Sequence, residues 1–575
     1  MLGRSITILN YLPGSQRDLL QGRKRVQIAR IQLRIALQIS IKYSTLFILI
    51  YSCLTFSQSP NSVKGIVIDD NSPIAGAIVR WQASNTTVIT DANGNFELEI
   101  LKNRSSNLIT AWKQGYYNGG TEYNIGVQNI EIKLAPLPET DNTSYEWIDP
   151  VPNPDDEIDN CGDCHASIIY DQWVHNGHAQ SAINPLFLSI YNGTDSTGKF
   201  GVQPGYKIDY PHSQGNCANC HAPTRAVNNV IGIDLNNLNG VEKLGVSCDF
   251  CHKIKGVKLK ENTSVFTGVM HYELIRPPDG HQIFFGPYHD VPDPDTYSNN
   301  ISKSIFCAPC HLGGYWGVPI YESYTEWLQS SYAAQGIECQ TCHMPPDGIT
   351  TNFAPGKGGV ERDPSTIPTH LQLGSRDKDF LASAVEVRSN VSIVGSKLNV
   401  IVEVENVGAG HHVPTDQPMR NMILIVEATD SEGKKLKYSG QNLIPLWGGR
   451  GELSEGNYEG QPGKGFAKIL FEDWTPYLPY KISTRGEQMF PAPQWRTIKI
   501  KEDTRIAALA TDVSNYEFQL GSHKGPYTVK CKLIYRRMFK NWAALKKWNL
   551  DDIILSEKIL NVNQQKNSMR VRENN

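Results

Sequence analysis

The order of apolar and polar residues divides the chain into stretches of different period. From Ser62 to Leu134 the text alternates every second residue between turn signals. GIVIDD, AGAIVRW, FELEI and IEIKL read as half-buried strands, and Asp91-Ala-Asn93-Gly94 reads as the tight turn before FELEI. About seven short strands of this kind predict a β-sandwich. Residues 137–158 (from PLPETDNTSYEWIDPVPNP) are rich in Pro and acid and read as a linker. Around Tyr170 and again around Tyr324 the spacing changes to that of short amphipathic helices, with Tyr and Trp three apart on one face. After His370 the strand period returns in Leu398-Asn-Val-Ile-Val-Glu-Val, Met422-Ile-Leu-Ile-Val-Glu-Ala and Thr528-Val-Lys-Cys531-Lys-Leu-Ile-Tyr535, predicting a second β-sandwich over 381–562 with Cys531 buried in a strand. The tail 563–575 is polar.

One apolar run stands apart. Tyr43–Phe56 is 14 residues long and follows a basic stretch that includes Arg23-Lys24-Arg25. It is short of the roughly 20 residues that span a bilayer as a helix, so residues 1–57 read as an export segment with a cleavage site before Gln58. A lipid-modified Cys53 is the competing reading. The formal net charge of the chain is −3; residues 1–57 hold eight basic residues and one acid, which leaves −10 for the rest. An acidic body argues against nucleic acid as a partner. With 575 residues, 40% apolar, the length suits several domains rather than one.

Ten of the twelve cysteines fall in five copies of one motif: Cys161-x-x-Cys164-His165, Cys217-x-x-Cys220-His221, Cys248-x-x-Cys251-His252, Cys307-x-x-Cys310-His311 and Cys339-x-x-Cys342-His343. Chance would supply on the order of 0.01 copies. Two thiols three apart can add to the two vinyl groups of a haem, and the next imidazole then falls under the iron as proximal ligand. A zinc site or a disulfide framework gives no reason for a His after every second Cys. Five covalently bound c-type haems are therefore expected, as the packing of a central, mainly helical and irregular domain over 159–380. The first-cysteine spacings of 56, 31, 59 and 32 suggest a duplicated two-haem unit after one extra haem. A second echo agrees: Tyr170-x-x-Trp173-x4-His178-Ala matches Tyr324-x-x-Trp327-x4-Tyr332-Ala. Ten histidines remain outside the motifs, enough to give each iron a second imidazole; Met270 and Met419 are sulfur alternatives.

The stretch from Cys161 to about Met419 resembles the exported multihaem cytochromes related to the tetrahaem cytochrome of ammonia oxidation and the hydroxylamine-oxidoreductase-like haem proteins. The resemblance rests on Tyr170-Asp-Gln-Trp173 with Gly177-His178-Ala179, on Gly215-Asn-Cys217-Ala-Asn-Cys220-His221-Ala-Pro223, on Gly245-Val-Ser-Cys248-Asp-Phe-Cys251-His252, on Phe285-Gly-Pro287, on Glu326-Trp327-Leu-Gln-Ser-Ser-Tyr332-Ala, and on Cys339-Gln-Thr-Cys342-His343-Met-Pro345. It implies His178 and His411 as distal ligands, the latter from Gly410-His411-His412-Val-Pro414-Thr415, with His370 a third candidate. Asp416 stands where Gly is usual. His289 and His271 are candidates from proximity alone. Residues 58–136 resemble carboxypeptidase-regulatory-like domains, with no peptidase activity implied.

These readings together predict an extracytoplasmic electron-transfer cytochrome, periplasmic or at the cell surface, with a redox protein as donor and another as acceptor. Two alternatives stay open. One is an oxidoreductase acting on a small nitrogen or sulfur compound at one five-coordinate haem; the other is a subunit of a surface conducting assembly, with membrane association and self-association into oligomers or filaments.

Overall fold

The computed structural model describes residues 61–153, 155, 160–259, 268–473 and 489–563. Residues 1–57, read above as an export segment, and the tail from 564 lie outside these residues. Among the described residues no helix is long and apolar enough to cross a membrane.

Strands near the N-terminus form two sheets. One has three strands, in the order Asn95–Glu99, Ser62–Ile68, Asn129–Lys133; the other has four, in the order Thr87–Ile89, Ile78–Trp81, Leu108–Trp112, Gly119–Glu122. Alternation puts Phe96 and Leu98 inward from one strand and Ile130 and Ile132 from another. They meet Val79, Trp81, Ile109 and Ala111 of the facing sheet in one core. The expected turn is present. Asp91 accepts hydrogen bonds from the backbone of Asn93 and Asn95 at 2.8 Å each, and Gly94 takes the left-handed conformation at φ 75°.

Eight of the ten C-terminal strands among the described residues form two four-stranded sheets. The first runs Val385–Val394, Lys397–Asn406, Thr511–Gln519, Lys437–Tyr438; the second runs Gly463–Phe466, Asn421–Thr429, Tyr527–Arg536, Ile553–Val562. Their inner faces share a core that includes Val400, Val402, Leu424, Val426, Phe518 and the fully buried Cys531. Asn421–Thr429 is buried on both faces. Its outer face, with Ile423 and Ile425, packs in a second core with Trp447, Trp495 and Ile190 of the central region.

Between the β-rich ends the chain folds into short helices and two-stranded ribbons. Buried ion pairs fasten the three parts. Asp290, fully buried, is held by Arg362 at 2.9 and 3.0 Å and accepts the backbone N–H of Ala83 at 2.8 Å. Arg496 forks onto Asp209 at 2.8 and 3.0 Å. Lys546 donates to the carbonyls of Ser189, Thr194 and Val202 at 2.9–3.1 Å. The Pro- and acid-rich stretch is strapped to the central region: Asp141 pairs with Arg276, and Tyr145 Oη and the N–H of Ile148 both reach the buried Asp249 inside the third motif.

Candidate functional site

Each motif occupies one turn of helix, at Cys161–His165, Ala218–His221, Cys248–His252, Ala308–His311 and Cys339–His343. Positions i, i+3 and i+4 share a helix face, so both thiols and the imidazole project on one side. The two residues between the cysteines face the other way: Asn219, Asp249, Phe250 and Ala308 are all at most 3% exposed. In the second, third and fourth motifs burial of the intervening pair aims the Cys, Cys and His donors at a common space, whereas Gln340 and Thr341 of the fifth are not buried.

The rings of the five motif histidines are each held through Nδ1. Nδ1 of His165 lies 2.8 Å from the carbonyl of Phe353, that of His221 2.9 Å from Ser181, that of His252 2.9 Å from Phe285, and that of His343 2.6 Å from Leu373. A carbonyl can only accept, so Nδ1 holds the proton and the Nε2 lone pair is left for a metal. His311 differs, because its Nδ1 meets the carboxylate Oδ2 of Asp416 at 2.8 Å. Burial lowers the basicity of His221, His252 and His343, the last to about 4, which favours the neutral form of the ring. Burial acts on His311 in the same sense, but Asp416 outweighs it and lifts that ring to about 9.

Two distal candidates stand opposite proximal rings. The ring of His178 is 6.2 Å from that of His311, centroid to centroid, and the ring of His411 is 6.3 Å from that of His343. With metal–nitrogen bonds of about 2 Å, two imidazoles on opposite sides of one iron have centroids roughly 6 Å apart. Both are oriented as ligands: His178 Nδ1 lies 2.6 Å from Oε1 of Gln372, and His411 Nδ1 lies 2.9 Å from the carbonyl of His412. Burial lowers His178 to about 4. His412 points elsewhere, its Nδ1 3.0 Å from Glu326.

His370 neighbours both His252 and His165, and its Nδ1 is buried without a hydrogen-bond partner. His271 ends a turn packed on the second and fourth motif helices; its Nδ1 meets the carbonyl of Lys258 at 2.9 Å and its Nε2 is buried and unpartnered. His289 is instead engaged by the N-terminal region, with both ring nitrogens 3.1–3.4 Å from the Arg80 guanidinium. Met270 is 58% exposed.

The motifs touch one another through their thiols. Hydrogen bonds join Cys161 to Cys248, Cys220 to Cys310, and Cys307 to Cys339. None of the ten is in a disulfide. The sequence echo is also structural. Trp173 Nε1 donates to the carbonyl of Val246 at 2.9 Å, and Trp327 Nε1 to that of Ile337 at 2.8 Å; each acceptor lies two residues before a motif cysteine. The N–H of Val246 reaches the carbonyl of His178, and the N–H of Ile337 reaches that of Tyr332. In the second copy the Tyr332 hydroxyl bonds the carbonyl of Val407, and its ring lies against Gly410, beside His411. Where the first copy holds a candidate ligand, the second holds a prop for one.

The donor set fits c-type haem: thiols three apart outside any disulfide, an adjacent imidazole with Nε2 available, second imidazoles at the right separation, and the orphaned ring nitrogens of His370 and His271. Residues 160–253, which hold the first three motifs, match the sequence model of the family described as cytochrome c554 and c-prime. Among solved structures, a penta-heme cytochrome c552 from Thermochromatium tepidum is similar at 20% identity with a TM-score of 0.48, over 70% of this chain and 97% of that chain. No curated protein matches the chain.

Proposed function

We propose that the chain is an extracytoplasmic pentahaem c-type cytochrome that transfers electrons between redox proteins in the periplasm or at the cell surface. The observation that supports this best is the uniform pinning of all five motif histidines through Nδ1, together with second imidazoles placed opposite His311 and His343. Covalent haem supplies one-electron chemistry at iron, and a second protein ligand closes the iron to substrate. The protein's part is to fix ligand orientation and to hold the motif cysteines of neighbouring motifs close to one another. Residues 1–57 act as the export segment, 58–136 as a carboxypeptidase-regulatory-like domain, 137–158 as the connecting strap, 159–380 as the haem domain and 381–562 as a β-rich domain that contributes His411. His178, His411, His370 and His271 are the proposed distal ligands.

Intact mass of the exported protein tests the stoichiometry, with five covalent haems expected and fewer in fully matured protein refuting it. A second reading, catalysis on a small nitrogen or sulfur compound, draws on His370 neighbouring two motif histidines at once. A high-spin EPR signal that shifts with cyanide would favour it over pure electron transfer.

A further inference from the structure

Four motif histidines give their Nδ1 proton to neutral backbone carbonyls, and the fifth gives it to an anion. Asp416 is built into this position. Its side chain is 11% exposed, its second oxygen accepts the N–H of Ser323 at 3.3 Å, and its backbone is left-handed at φ 55°, where Gly is free and most side chains are strained. Arg420 adds a cation beside this loop, donating to the carbonyl of Thr415 at 3.4 Å. The opposite ligand of the same centre, His178, is held by the neutral amide oxygen of Gln372.

We infer that Asp416 is a positioning residue that lowers the reduction potential of the haem held by Cys307, Cys310 and His311 below the potentials of the other four. The inference rests on the pentahaem reading. A carboxylate on the far nitrogen makes the imidazole a stronger donor, and its charge in a buried site favours the more positive, oxidised iron. Outer partners of metal-bound histidines typically matter at the level of 10–100-fold in affinity. The placement gives the effect a consequence. Cys310 contacts the second motif and Cys307 the fifth, so a lowered potential here puts a thermodynamic step in the middle of the array.

Two variants test it. Asp416→Asn keeps the shape and an acceptor oxygen but removes the charge; Asp416→Gly removes the acceptor and suits the left-handed backbone, which protects folding. Intact mass of wild type and variants comes first, because a shortfall of haem in the wild type defeats the proposed function rather than this inference. Potentiometric titration followed by absorbance and EPR should then show the lowest-potential component rising in both variants. The expected size is at least tenfold in the reduction equilibrium, about 59 mV for one electron, with the other components unmoved. The component that moves should be the one that becomes high-spin in His178→Ala. Unchanged potentials in both variants would overturn the inference. A shift spread over all components, or confined to one that His178→Ala leaves untouched, would overturn it as well.

Discussion

The imidazole of His411 faces that of His343 with ring centroids 6.3 Å apart and ring planes 19° from parallel. The two residues belong to different parts of the fold. His343 closes the last motif helix, whereas His411 follows the strand Lys397–Asn406 of the C-terminal sheets, and the fully buried Asn406 at the strand's end donates to its carbonyl at 2.8 Å.

His411→Ala should therefore turn one haem from low-spin to high-spin while every thioether stays intact. His412→Ala should leave the spin state alone, since His412 is turned to Glu326. EPR of both variants at equal haem content checks this, and the reverse pattern would reassign the ligand by one residue.

His178→Ala should do the same to a different haem. Combined with His411→Ala it should give two high-spin centres with amplitudes that add, because the proximal rings involved, His311 and His343, belong to separate motifs. Integrated EPR intensity measures this directly.

Trp173→Phe should cost about 1–3 kcal/mol, the range for leaving a buried acceptor unsatisfied, here the carbonyl of Val246. The equivalent Trp327→Phe should cost less, since Trp327 is only half-buried while Trp173 is 3% exposed. Urea unfolding of protein with full haem content compares the two.

Glu326 gives a pH dependence. Burial opposes its charge, but His412 and Arg505 hold it down to about 2 from an ordinary 4.5. A carboxyl depressed in the folded state binds fewer protons than in the unfolded chain, so its stabilisation is complete above pH 4.5 and is lost as the pH falls toward 2. Glu326→Gln should flatten this part of the acid-unfolding curve and cost about 1–3 kcal/mol at neutral pH. Thermal melts between pH 2 and 7 test both statements.

The motif helices and the strands were legible in the sequence because their signals are local. Cys, Cys and His on one helix face need five consecutive residues, and Asn95–Glu99 or Asn129–Lys133 declare their buried face by simple alternation. Asn421–Thr429 was legible as a strand but not as one covered on both sides, since its outer cover comes from Trp447, Trp495 and Ile190, far away in the chain. The acceptors that orient the proximal rings could not be read at all. Four are backbone carbonyls, which have no residue identity, and the fifth, Asp416, showed only as a departure from an expected Gly. Proximity in sequence also misdirects. His289 lies between motifs yet faces Arg80, and the Pro-rich strap owes its attachment to Asp141 and Tyr145 finding Arg276 and Asp249.

The position of Asp416 and His411 beyond the last cysteine bears on how such a molecule matures. A chain made from its N-terminus presents all ten thiols before either residue emerges, and both depend on C-terminal strands that pair across more than 100 residues, as Val402 does with Ser514. On the proposed assignments, covalent loading would run to completion on an open chain, while the final ligand field at the fourth and fifth motifs would wait for the β-rich end to close. A protein truncated before residue 411 would hold its pigment and lack its finished redox character.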